Sequence, residues 1–144
     1  MTRSVATLGI AVLFLSLAVP GAAQNEERYK VRLSMVPMDI PMRSTVTGLG
    51  AAIAVLKGAT LTVNGTFEGL VSAATTARVH RGVAMGVRGA SFADLTVSKA
   101  QKGTISGSIN LAPDQVQALR KGQLYLQISS EKAPDGNLWG WFVR

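Results

Sequence analysis

No cysteine occurs anywhere in the 144 residues. Disulfides, thiol nucleophiles and cysteine-ligated metal sites are therefore excluded, and the chain must hold itself together by burial alone. Histidine occurs once, at position 80. A zinc or copper site gathers three or four ligands, so one imidazole does not hold such an ion tightly by itself. Carboxylates are also scarce, eight against fifteen Lys plus Arg. Glu68, Asp94 and Glu131 fall in different segments, at no spacing that pairs an acid with a base. The serines lack a nucleophile elbow, and the glycines lack the Walker lysine and the following helix of a phosphate cradle. These absences argue against an enzyme and against a bound cofactor.

What is present starts with a leader. Arg3 is the only charge among the first 23 residues. An uncharged, apolar-rich run over residues 5–19 follows it, and then Pro20, Gly21, Ala22 and Ala23. This is the three-part pattern of a secretory signal. A helix of fifteen residues rises only about 22 Å, short of the roughly 30 Å hydrocarbon core, so a retained anchor fits less well. The expectation is a signal peptide over residues 1–23, with an exported, periplasmic or extracellular chain beginning at Gln24. No cysteine follows the run, which excludes a lipoprotein.

Beyond residue 23 the formal charge is about +6, with the basic residues scattered rather than clustered. Scattering suits a solvated surface and does not suit nucleic acid. The functional alternative is attraction to an anionic polymer or to a protein of the envelope.

Residues 24–28 read as a polar, flexible lead-in and residues 29–144 as one domain. Tyr29, Val31, Leu33 and Met35 alternate with Lys30, Arg32 and Ser34, the mark of a half-buried strand. Its outer edge could pair between chains, a risk that Pro37, Lys30 and Arg32 would discourage. Pro37 and Pro41 break pairing up to Gly48. Ile53 and Val55 then share one face and lead into a turn at Lys57 and Gly58. Leu61, Val63 and Phe67 follow, with Gly65 as a candidate bulge.

Ala77 and Val79 alternate with Arg78 and His80, which puts the last two on one face, before a loop holding Gly82, Gly86 and Gly89. Leu95 and Val97, then Ile105, Ile109 and Leu111, predict a second hairpin. Pro113, Asp114, Val116, Leu119, Arg120, Lys121 and Gly122 carry the start, stripe and stop signals of one short helix. Leu124, Leu126 and Ile128 alternate with Tyr125, Gln127 and Ser129. A turn at Pro134, Asp135 and Gly136 then leads into Trp139 and Trp141. About eight short strands and one helix predict an all-β fold, either an antiparallel sandwich or a flattened barrel.

The segments ARVHRGVAMGVRG, residues 77–89, and LAPDQVQALRKGQLYLQISSEKAPDGNLWGWF, residues 111–142, resemble the CHRD domain family. The ordered set His80, Gly82, Gly86, Gly89, Leu119, Gly122, Tyr125, Pro134, Gly136 and Gly140 carries the resemblance. It implies an immunoglobulin-like or superoxide-dismutase-like β domain. The family pattern places a His pair two residues apart, a third His on a later strand, and a Glu and an Arg in the final strand. Here Arg78 stands for the first His, Ser129 for the third, and Asn137 and Trp139 for the Glu and Arg. His80 alone remains as a metal candidate, and Arg78 sets a permanent positive charge beside it.

The altered set leaves three readings of His80: a ring bonded to the glycine loop, a ligand contact shared with Arg78, or the remnant of a copper or zinc site. The two indoles share a face, and burial of large apolar groups predicts at least one of them in the core. If they are exposed, the resemblance brings Arg78, His80, Ser129, Asn137 and Trp139 together as a basic, aromatic patch. The function expected is an exported, non-enzymatic binding or structural module. The alternative is a periplasmic metal-binding protein.

Overall fold

The computed structural model describes residues 25–144, so the expected signal peptide lies outside the described residues. Eight antiparallel strands close into a barrel: β1 (Glu26–Met35), β2 (Leu49–Lys57), β3 (Thr60–Glu68), β4 (Ala74–Arg81), β5 (Ala90–Val97), β6 (Gly103–Asn110), β7 (Leu124–Ser130) and β8 (Ala133–Val143). The order around the wall is β1-β2-β3-β6-β5-β4-β7-β8, and β8 returns to β1. Of the two architectures left open, the closed barrel is the one found.

Closure removes the free edge expected near residues 29–36, because β1 is paired on both sides, to β2 and to β8. The strand also begins at Glu26, inside the stretch read as a lead-in. The thinnest seam joins β5 to β6, where two residue pairs are in register, Thr96 with Ser106 and Val97 with Ile105.

The interior is filled by one alternate set of side chains from every strand, including Val31, Leu33, Leu61, Val63, Val79, Leu126, Ile128 and Phe142. On β2 the inward set is Ala52, Ala54 and Leu56, while Ile53 and Val55 face outward. Ile53 and Val55 share a face as expected, and it is the outer one. A barrel interior accepts small and large residues in alternation, and the opposing Leu61 and Val63 already supply bulk beside the alanines. Gly65 is not a bulge, since β2 and β3 stay in register through the Ala52–Gly65 pair. A Cβ there would sit 2.5 Å from the Ala51 carbonyl oxygen. Close strand approach, not an extra residue, explains this glycine.

Helix α1 (Pro113–Arg120) forms where its end signals lie and stops before Gly122, whose φ is +72°. It buries Ala118 and Leu119 against the core. Arg120 ties it to β1 through Glu27, with Nη2 to Oε1 at 2.7 Å and Nε to Oε1 at 3.1 Å. Tyr29 donates to Glu27 Oε2 at 2.6 Å. The Arg120 bond, followed by the Tyr29 bond, lowers the Glu27 carboxyl pKa, while burial and then the Glu27 bond push the Tyr29 phenol up to about 12. Among the described residues no helix is long and apolar enough to cross a membrane.

Candidate functional site

The outer face of β4, β7 and β8 differs from the rest of the wall. Ladder pairing builds it in rows: Thr76 beside Ser129, Arg78 beside Gln127 beside Trp139, and His80 beside Tyr125 beside Trp141. All seven residues of β7 are buried, although only Leu124, Leu126 and Ile128 line the interior. Of the other four, Tyr125, Gln127 and Ser129 alternate to the outer face and are covered from outside, which is unusual for a strand of an antiparallel barrel.

Four rings make most of that cover. His80 stacks on Tyr125 with centroids 4.8 Å apart and planes 18° apart. Tyr125 meets Trp141 at 4.5 Å and the edge of Trp139 at 5.6 Å, and the two indoles meet at 5.7 Å. Each such pair contributes about 0.5–1.5 kcal/mol beyond the area it buries. Both tryptophans are half-buried, and neither enters the barrel interior, where at least one was expected. Trp139 packs instead on a small external cluster of Val36, Val46 and Ala133 with Met38 and Met42. The interior needs alternate residues of β8, and Leu138, Gly140 and Phe142 take those places.

The glycine loop is fastened to these rings at Gly89. The Gly89 N–H donates to the Tyr125 hydroxyl at 3.0 Å, and that hydroxyl donates back to the Gly89 carbonyl at 3.1 Å. His80 Nδ1 lies 2.9 Å from the same carbonyl. A carbonyl only accepts, so Nδ1 carries the hydrogen and Nε2 is the ring's free nitrogen in the neutral form. Of the three readings of His80, the bond to the loop backbone is the contact present. Position 89 admits no side chain, because a Cβ would lie 1.7 Å from the Arg81 carbonyl oxygen.

Three arginines border the rings. Arg78 Nε pairs with Asp94 Oδ1 at 2.8 Å, and Arg81 Nη1 pairs with Asp114 Oδ2 at 2.8 Å. The Arg88 guanidinium stands over the Trp139 ring at 5.7 Å from its centroid, a cation–π contact. Asp94 and Asp114 are thereby taken up by arginines, while Asp135, in β8 ahead of the tryptophans, accepts at its backbone carbonyl from Gln127 Nε2 at 3.2 Å.

The residues singled out from the sequence separate here. Arg78, His80 and Trp139 share the outer face, and Ser129 lies on it but is buried beside Thr76. Asn137 is completely buried: its Oδ1 accepts from Ser130 Oγ at 3.1 Å, and its Nδ2 donates to the Thr47 carbonyl at 2.7 Å. It ties β8 to the segment before β2 and does not reach the patch. Trp141 was expected only to share Trp139's face, and Tyr125, Arg88 and Gln127 were not among the candidate site residues, yet all four complete the face. For Tyr125 and Gln127 the signal was available, since they occupy the outward alternate positions of a strand whose other face is wholly apolar.

A closed, eight-stranded barrel with one ring-lined wall defines a small all-β binding or structural module. The family model of the CHRD domain matches residues 22–141, and the chain belongs to that family. No curated protein matches the chain. No solved structure matches it either.

Proposed function

We propose that the protein is an exported, non-enzymatic binding module of the cell envelope whose β4–β7–β8 face holds an acidic polysaccharide. The observation that carries this reading is the ring set of His80, Tyr125, Trp139 and Trp141 on the outside of the barrel, with both indoles half-buried and in part open to solvent. Flat apolar ring faces complement the C–H faces of sugar rings, and guanidinium groups complement carboxylate or sulfate substituents. Next around the wall, β1 presents Arg28, Lys30 and Arg32 outward, all exposed. Alternate residues on a strand are roughly 6.8 Å apart, so this row extends the basic surface beside the rings along a polymer's length. Export rests on the signal-like leader. The absence of catalysis is inferred from a surface of rings and cations that, among the described residues, offers no pair of carboxylates, with Asp94 and Asp114 each held in an ion pair.

The test exploits composition. The chain has two tryptophans, both on this face, so their fluorescence reads the site alone. Titration with a polyuronate should quench or shift the emission saturably, and a neutral glucan of similar length should bind at least tenfold more weakly. An unchanged emission with the polyuronate, or equal response to the neutral glucan, would sink the reading.

A further inference from the structure

The loop between β4 and β5 carries a feature that the ring face does not use. Val83, Met85 and Val87 are exposed to 80%, 54% and 44% on a single short loop. Val143, 47% exposed, adjoins them: Met85, Lys121, Val143 and Arg144 line one cleft of about 220 Å³ at the α1 end of the barrel. Half of the large apolar side chains that stand exposed among the described residues are thus gathered in one corner. Apolar groups collected in this way mark a contact surface, whereas scattered ones need no explanation.

The loop holds its shape without burying these side chains. Gln123 Nε2 donates to the Val83 carbonyl at 3.1 Å, the Gly82 N–H donates to the Gln123 carbonyl at 2.9 Å, and the Val87 N–H closes a turn on the Ala84 carbonyl at 3.1 Å. The Tyr125 clamp fixes its far end. Backbone and clamp hold the loop, so Val83 and Val87 project freely, while Met85 reaches over Gly122 into the cleft and still leaves just over half of its surface open to an external partner.

The charges around the corner choose that partner. Arg81, Arg88, Arg120, Lys121 and Arg144 surround the loop, while Glu27 and Asp114 are the carboxylates paired among them. An apolar tip ringed by surplus cations complements an anionic bilayer: hydrocarbon takes the tip, and headgroup phosphates meet the cations. We infer that the loop of residues 82–88 docks the barrel onto the surface of an anionic membrane by inserting Val83 and Met85 at the headgroup level. This is independent of what the ring face binds.

The absence of cysteine allows a direct test. Met85→Cys provides one labelling site for an environment-sensitive dye, and Thr62→Cys, exposed on β3, provides the control. The barrel domain, residues 25–144, has a complete core of its own and is suitable for the assay. With vesicles of phosphatidylglycerol and phosphatidylethanolamine, the dye at position 85 should shift to the blue and be quenched by spin-labelled lipid, while the dye at position 62 should do neither. In co-sedimentation of the unlabelled domain, Val83→Asp with Met85→Asp should weaken partitioning at least about tenfold. Lys121→Gln should weaken it about fivefold. Both sites are exposed, so thermal unfolding should be unchanged. No binding to anionic vesicles, equal binding to zwitterionic vesicles, equal dye response at the two positions, or loop variants that bind undiminished would each overturn the inference. Loss of polyuronate binding alone would count against the ring face and leave the loop untouched.

Discussion

Two walls of one barrel share an interior and differ outside. On β3 and β6 the outward residues are Thr60, Thr62, Asn64 and Thr66 facing Asn110, Ser108, Ser106 and Thr104, joined by short polar contacts such as Thr62 Oγ1 to Ser108 Oγ at 3.1 Å. On β4, β7 and β8 the same outward positions carry rings, arginines and a buried glutamine. Inward, both walls present Leu, Val and Ile. The lesson is that the inward alternate set builds the fold, while the outward set is free to differ and carries the site proposed above. Nothing in the packing of the interior requires four aromatic rings on one outer face.

That comparison can be broken first from inside. Leu126→Ala removes a fully buried side chain beneath the ring wall and should cost about 3 kcal/mol, read as a lowered denaturation midpoint with an unchanged slope. If the cost is below about 1 kcal/mol, the interior is not shared in the way described.

A smaller effect tests the join between the walls at β1. The Tyr29 phenol ionises near 10 when unfolded and near 12 when folded, so the folded state keeps its proton longer. Its contribution is fully present below pH 10 and is lost as pH rises through 12, on the order of 2 kcal/mol. Stability curves between pH 9 and 12 should fall for the native chain, and Tyr29→Phe should remove most of that fall.

Tyr125→Phe sharpens the comparison on the ring wall alone. It leaves the stacking in place but removes the hydroxyl that bonds both polar groups of Gly89, and should cost about 1–2 kcal/mol. Hydrogen exchange should rise over residues 82–89 and stay unchanged on β3 and β6. The smallest effect belongs to the plain wall, where Thr62→Ala should stay within about 0.5 kcal/mol by thermal unfolding and leave polyuronate binding unaltered.

Local signals made much of this legible in advance. The alternation of Tyr29, Val31 and Leu33 places β1 correctly, and the Pro113 to Gly122 signals place α1 to the residue. On β2 two apolar frames compete, and only the register with the neighbouring β3 decides that Ala52 and Ala54 face inward. The pairing of β1 with β8 joins residues more than a hundred apart, which no local pattern reveals. Arg78 and His80 were legible as neighbours because strand periodicity alone sets them on one face. Asn137 was misplaced in the patch because its burial depends on the distant Thr47 carbonyl. The tryptophans resisted prediction because hydrophobicity argues for burial, while the β8 register gives the interior to Leu138 and Phe142.

The most direct measurement of the central claim is a backbone amide spectrum of the isotopically labelled barrel domain, recorded through a titration with a polyuronate. The account predicts saturable shifts confined to β4, β7 and β8, the residue 82–89 loop and the basic row of β1, with β3 and β6 silent. Shifts centred on β3 and β6, or no shifts at all, would contradict it.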